Sequence, residues 1–205
     1  MFYETEKNNH GLPHNPFKAC VVPRPIGWIT SQDAAGNLNL APFSFFNAVS
    51  DIPPMVMFSI SNKHEGVREK DSLKNVEATK EFVCNIATWD LREQVNLSSG
   101  EFQSHENEIE ITGLETVPSR LVKPPRIKAS PIHLECKYYK SIQLPVKNEQ
   151  YSNRMILGEV IGIHIADEVL VNGKVDISKV KPIARLGYFD FAVVLETFEM
   201  PRPKI

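Results

Sequence analysis

At 205 residues the chain is long enough to bury a substantial core within one ordinary domain. Its composition, 42% hydrophobic and 23% charged with a net charge of -2, is that of a globular protein and offers no basic field for nucleic acid. Cys20, Cys84 and Cys136 are widely spaced and form no CxxC pair, which predicts buried thiols in a reducing, cytoplasmic setting. No apolar run approaches the roughly 18 residues of a membrane span, and the first residues lack the apolar segment of a signal peptide.

Residues 1–18 are polar and interrupted by Gly11, Pro13 and Pro16, so they read as an arm, loose or laid over a partner, ahead of one domain spanning 19–205. From "ACVVP" onward, short runs rich in Val, Ile, Phe and Trp alternate with turn signals, predicting strands at Cys20–Val22, Ile26–Ser31, Leu38–Pro42, Ser44–Val49 and Met55–Ile60. "DAAGN" and "SDIPPM" are the turns between them. Asp71 or Ser72 can cap a helix over Ser72–Lys80, and Asp90 a second one through Leu91, Val95 and Leu97. Glu101 to Pro131 is a long excursion, of the kind that serves as a lid or an interface arm.

Three longer strands follow, in "IHLECKYYKSIQL", "MILGEVIGIHIADEVL" and "FDFAVVLETFEM". In the middle one, Ile161, Ile163 and Ile165 share a face opposite Val160, Gly162 and His164. Many antiparallel strands with two short inserted helices predict a closed or partly closed β-barrel.

No phosphate-loop, dinucleotide, zinc-protease or hydrolase motif is present. His10 and His14 are four apart, but Gly11 and Pro13 between them deny the helix that would align them on a metal. The chemistry-bearing pattern is a set of small polar and cationic residues at element ends. Thr30 and Ser31 close one strand, and Ser44 and Asn47 interrupt another beside Pro42. Ser59 and Ser61 end a third, and Lys63, Lys70, Asp71 and Ser72 lead into the first helix. A helix start with a hydroxyl and two lysines suits an anion. The same residues also read as an ordinary cap with solvated charges, and alternation alone does not divide Trp28, Phe43, Phe45 and Phe46 between core and groove.

"PRPIGWITSQDAAGNLNLAPFSFFNAVSDIPPMVMFSI", "KDSLKN", "EFVCNIA", "GEVIGIHIADEVL" and "RLGYFDF" together resemble the flavin reductase-like family of FMN-binding split barrels. That family includes NAD(P)H:flavin oxidoreductases, reductase components of two-component monooxygenases such as nitrilotriacetate monooxygenase component B, and flavoredoxins. The resemblance covers nearly the whole chain after the arm. It implies a mainly β, six-stranded antiparallel Greek-key split β-barrel that forms a homodimer, with FMN in a groove near the subunit interface.

By the same resemblance, Thr30, Ser31 and the segment Asn39, Leu40, Ala41, Pro42, Phe43, Ser44 and Asn47 line the flavin ring and ribityl chain. Ser59, Ser61, Lys63, Lys70, Asp71 and Ser72 gather at the ribityl and phosphate end, and Arg185 and Tyr188 approach the cofactor. His164 falls where some members carry a histidine near the nicotinamide, and as a strand histidine it reads equally as structural. The implied activity is hydride transfer from NADH or NADPH to FMN, supplying reduced flavin to a partner oxygenase. The alternative is a flavoredoxin-type electron carrier that uses no pyridine nucleotide. A third reading, a binding module without flavin, conflicts with the polar set from Thr30 to Ser72.

Overall fold

The computed structural model describes residues 1–63, 70–103, 106–148 and 151–204, and the side chains of Asn62 and Lys63 lie outside that description. The arm runs into one helical turn, α1 (Phe17–Cys20), whose Ala19 and Cys20 N–H groups donate to the Pro16 carbonyl. That turn displaces the strand expected at Cys20–Val22, and extended pairing begins only at β1 (Arg24–Pro25). β2 (Gly27–Gln32) and β3 (Leu38–Phe43) form the expected hairpin. In its turn Gly36 takes φ +92°, and Asp33 Oδ1 accepts the N–H groups of Ala35 and Asn37. β4 (Phe46–Asp51) and β5 (Pro54–Lys63) pair through the second expected turn.

Helix α2 (Asp71–Thr79) falls where the sequence places it, but neither Asp71 nor Ser72 caps it. Lys70 holds the cap position without a side-chain bond, and the Ser72 hydroxyl is engaged by Asn39 instead. β6 (Glu81–Ile86) leads through a 3-10 turn at Trp89–Leu91 into α3 (Arg92–Leu97), again without a side-chain cap from Asp90. The excursion carries α4 (Glu108–Ile111) and a small hairpin of β7 (Thr116–Val117) and β8 (Arg126–Ile127). β9 (Ile132–Leu144) and β10 (Tyr151–Ile165) are the long strands. After them come β11 (Leu170–Val171), β12 (Lys174–Val175), α5 (Ile177–Val180), β13 (Ile183–Arg185) and β14 (Phe191–Val193). The strand expected over Phe189–Met200 shrinks to Phe191–Val193, because only those residues find a partner, in β13.

The expected six strands become seven in one antiparallel sheet, ordered β3-β2-β6-β9-β10-β5-β4. β3 and β4 stand at opposite edges of that sheet, although only Ser44 and Phe45 separate them in the chain. Six interstrand spacings of about 4.8 Å would put flat edges about 29 Å apart. Three Cα steps from Phe43 to Phe46 reach at most about 11 Å. The sheet must therefore curl until its edges meet, and it does so without β3 and β4 pairing with each other. Ser59 N–H donates to the Phe45 carbonyl at 2.8 Å, carrying the β4–β5 ladder one step further, and the tilted Phe43 and Phe58 rings, 5.0 Å apart, close the seam.

The curl separates two cores. Ile29, Phe43, Phe46, Phe58, Phe82 and Cys84 fill the inside, plugged by Leu73 and Val76 of α2. Trp28, Leu40, Leu91, Val95, Ile109 and Ile127 form an outer core between the sheet, the α3 region and the excursion. Each large side chain so buried contributes about 1.5–3 kcal/mol. Trp28 thus belongs to the outer core and Phe43 and Phe46 to the inner one, while Phe45 lies half-buried under Lys18 and Arg24. On β10 the isoleucine face is the outward one, with Ile163 57% and Ile165 39% exposed. Among the described residues no helix is long and apolar enough to cross a membrane.

Candidate functional site

One side of β3 faces no other strand. The Leu40 N–H that points off this edge donates to the Glu108 carboxylate of α4 at 3.1 Å. Two residues on, where the next outward N–H would fall, stands Pro42, which has none. The edge is thus closed to a further strand at Leu40 and left for something other than a ladder at Pro42. Two cavities meet there, both lined by Pro42 and Ser99.

The smaller cavity, about 430 Å³, runs from Pro42 along Asn39, Ala41 and Phe43 to Lys70, Asp71 and Ser72 at the start of α2. Its opposite wall is the Ser98–Gln103 loop with Glu108. Asn39 satisfies all its neighbours when its amide oxygen faces Leu40 N–H (3.2 Å) and the Ser72 hydroxyl (2.8 Å), leaving the nitrogen to donate to Glu108 Oε1 at 3.3 Å. Burial pushes the Glu108 carboxyl above the usual carboxylate range, the Asp71 charge adding to the effect.

The larger cavity, about 870 Å³, lies on the other side of Pro42 and Ser44. Its lining carries Lys18, Arg24 and Arg185 and no carboxylate, together with the rings of Tyr3, Phe17, Tyr188 and Phe191. Arg24 and Arg185 are direct cross-strand partners in the β1–β13 pairing. Arg24, 6% exposed, donates to the carbonyls of Lys18, Val21 (2.6 Å) and Leu186 (2.8 Å), and its buried Nε–H has no partner. Burial, and then the Arg185 charge, hold its pKa below the ordinary value. Arg185 donates to the Tyr188 carbonyl and lies 4.4 Å over the Phe191 ring.

Of the sequence-predicted site residues, Asn39, Ala41, Pro42, Phe43, Ser44, Lys70, Asp71, Ser72 and Arg185 line one cavity or the other. Thr30 and Ser31 do not; both are fully buried, accepting from Asn85 (2.8 Å) and Asn75 (3.3 Å). Leu40 brings its backbone N–H to the edge but its side chain to the outer core. Asn47 is exposed on β4, and Ser59 and Ser61 alternate with the buried Phe58 and Ile60 and so point away from the inner core. The Lys63 side chain lies outside the described residues.

His164 lines neither cavity. Its Nε2 is 2.5 Å from Glu135 Oε1, and the fully buried Glu135 also accepts the N–H groups of Arg120 (2.8 Å) and Leu121 (2.6 Å) from the excursion. Burial pushes the Glu135 carboxyl up, but those two N–H groups and His164 outweigh it and hold the pKa below the ordinary value. His133, facing His164 across β9 and β10, meets the Ile127 carbonyl through Nε2 at 2.8 Å, and burial lowers its pKa to about 4. The group ties the excursion to the sheet.

Sequence reasoning passed over Lys18, Arg24, Tyr3 and Phe17, and Glu108 with the Ser98–Gln103 loop. Arg24 did leave a signal, a charged residue set between prolines in "VVPRPIGW". The arm left none, because its aromatic residues have no periodicity.

A family model described as the flavin reductase like domain matches residues 19–184. A protein of Aquifex aeolicus is 44% identical over 168 residues, 82% of each chain. Nitrilotriacetate monooxygenase component B from Bacillus cereus superposes with a TM-score of 0.88 at 26% identity over 98% of both chains. A split barrel domain protein of Shewanella frigidimarina superposes at 0.83 and 19% identity, covering 99% of this chain and 100% of that one. The seven-stranded sheet with a seam is thus a split-barrel fold.

Proposed function

The chain belongs to the flavin reductase-like domain family, and from that membership we propose that it binds FMN and passes a hydride from NADH or NADPH to it. The observation that carries the reading is the interrupted edge of β3, where Pro42 stands between two cavities at the seam of the barrel. FMN joins a flat, largely apolar ring to a dianionic tail. Ala41, Pro42, Phe43 and Ser44 present backbone and small side chains that let a ring approach closely. Lys70, Ser72 and the first turn of the nine-residue α2, with Lys63 nearby in sequence, suit the phosphate.

When bound, the flavin supplies the two-electron chemistry, and the protein supplies binding, orientation and electrostatics. The buried Glu108 carboxyl, bonded to Leu40 and Asn39, fixes the excursion on the flavin strand and keeps water from its edge. We assign the protein to the cytoplasm and to a homodimer, which would cover apolar surface such as Ile163 and Ile165. The resemblance to a monooxygenase component B supports delivery of reduced flavin to a partner oxygenase.

Purified protein should be yellow and release FMN rather than FAD. Under anaerobic conditions NADH or NADPH should bleach the flavin band. Protein that takes up no FMN refutes the cofactor assignment, and reduction by a protein donor alone makes the chain a carrier of the flavoredoxin kind.

A further inference from the structure

The sequence reads as a strand from Phe189 to Met200, yet within one chain only Phe191–Val193 pairs. Val194 N–H still donates to the Pro182 carbonyl at 3.0 Å. Beyond it the chain runs on through Leu195, Phe198 and Met200, which are 56%, 83% and 80% exposed. Phe198 and Met200 share one face of an extended chain, and Pro201 and Pro203 end any ladder past them. Val194–Met200 thus has the composition of a strand, and among the described residues no strand lies beside it.

β10 carries the complementary edge. Its ladder with β5 stops at Glu159 opposite Met55, while its ladder with β9 continues to Ile165. Val160–Ile165 therefore has β9 on one side and, among the described residues, no strand on the other. Such an edge presents unpaired N–H and carbonyl groups and is a template for a further strand. It bears the exposed Ile163 and Ile165 on one face, at the same spacing as Phe198 and Met200. Tail root and edge lie at one end of the sheet. Beside the root, Ile183 N–H donates to the Ala87 carbonyl at 3.0 Å, just past β6. The Ser130 hydroxyl lies 2.9 Å from the Ile86 carbonyl and 3.1 Å from that of Ile132, which stands opposite Ile165. Val194 to Met200 can span about 20 Å when extended, enough to reach an edge a few strands away. Both apolar surfaces nevertheless stay bare within one chain, so the tail does not cover its own β10.

We propose that two copies of this chain exchange C-terminal tails, Val194–Met200 of each adding as a strand to the Val160–Ile165 edge of the other, so that Phe198 and Met200 cover the partner's Ile163 and Ile165. The occupant is a second copy because the edge and the strand that fits it are both encoded in this chain, and each is unsatisfied there. A two-fold axis beside the shared end of the sheet gives both tails the same contact, and once one is seated the other binds as an intramolecular step. Main-chain pairing holds the extended segment, and the alternating apolar side chains set its register. The exchange rests on the homodimer reading, whose surfaces it names, and is independent of flavin.

Sedimentation equilibrium of the full chain gives the dimer constant. Ending the chain after Val194 should weaken dimerisation by about 100-fold or more. Glu196→Pro combined with Thr197→Pro removes a ladder donor whichever of the two N–H groups faces the edge, keeps Phe198 and Met200, and should weaken it about tenfold. Both changes lie outside the barrel, so the circular-dichroism spectrum should not move. Contact is read by cross-linking in a Cys20→Ser background, where the remaining Cys84 and Cys136 are buried. Chains carrying Ile163→Cys, mixed with chains carrying Phe198→Cys and treated with a short bismaleimide, should yield a covalent dimer of one chain of each kind. A chain carrying both substitutions that links only to itself overturns the exchange, because the tail then lies on its own β10. No cross-link in the mixture, or a truncated chain that dimerises as tightly as the full one, overturns it too and leaves the homodimer to another face. A full chain that is monomeric at every concentration refutes the homodimer reading as well. A chain that forms the cross-link but takes up no FMN supports the exchange and refutes the flavin reading alone.

Discussion

Gly27 on β2 lies flat against the ring of Phe46 on β4, so close that a Cβ at Gly27 would sit 2.5 Å from Phe46 Cδ2. These strands belong to opposite ends of the sheet order and share no ladder, so the contact is the seam of the barrel itself. Gly27→Ala must push back a ring that is 8% exposed and packed in the inner core, at a cost of about 1–3 kcal/mol. Because Ser44 and Phe45 connect Phe46 directly to β3, the displacement should also reach the Pro42 edge and weaken FMN binding. Chemical denaturation and flavin titration of the variant measure both effects. A destabilised variant with unchanged flavin affinity would separate the seam from the site.

Glu108 yields a prediction with a definite sign. Burial lifts its carboxyl above the ordinary 4.5, so the folded chain holds this proton more tightly than the unfolded one. Its contribution to stability is present in full below 4.5 and is lost as pH rises through the folded value. Glu108→Gln keeps an acceptor for the Leu40 N–H without the buried charge. Its melting temperature should exceed wild type at pH 8 by about 2–4 °C, the shift of about 1 kcal/mol in a chain of this size. At pH 4.5 the two should coincide. A gap of equal size at both values would show that charge at Glu108 is irrelevant.

His133 acts on the acid side. Its folded pKa of about 4 lies below the ordinary 6.5, so the unfolded chain binds this proton more readily. The stability it contributes is present above 6.5 and is lost as pH falls through 4, on the order of 3 kcal/mol in all. His133→Asn should cost stability at pH 7, through loss of the bond to the Ile127 carbonyl, yet flatten the decline between pH 6.5 and 4.5. Urea midpoints at several pH values test this, and parallel curves for variant and wild type would contradict it.

Much of the fold was legible because turn chemistry is local: Asp33 to Asn37 forms the expected turn, and α2 falls where Leu73 and Val76 recur. The sequence divides Leu38–Pro42 from Ser44–Val49 at Phe43, but nothing local says that the Ser44–Phe45 step crosses from one edge strand, ending at Phe43, to the other, beginning at Phe46. Only the requirement that seven strands close on a short connection separates them. In the candidate site, the Pro42 edge was visible as a missing donor and the Lys70–Ser72 end as a helix start. Thr30 and Ser31 line neither cavity, a placement the sequence hid because a strand-end hydroxyl facing solvent and one satisfying a buried asparagine look alike. Arg24 with Arg185, and Glu135 with His164, are pairings between distant segments that no local pattern encodes.

That last pair gives His164 a structural role that can be tested. Glu135 binds its proton less readily when folded, so its contribution is complete above the ordinary 4.5 and is lost as pH falls through the lower folded value. Glu135→Ala strands the N–H groups of Arg120 and Leu121 and the His164 ring together, and should cost about 3 kcal/mol. His164→Ala leaves both backbone bonds and should cost about 1–2 kcal/mol. Amide exchange at Arg120 and Leu121 should accelerate strongly in the first variant and modestly in the second. The rate at which NADH or NADPH bleaches the flavin should stay within about twofold of wild type in His164→Ala, because the ring lines neither cavity. Bleaching slowed about tenfold or more at saturating nucleotide, with melting temperature and exchange unchanged, would place His164 at the nicotinamide instead of at the tie between the excursion and the sheet.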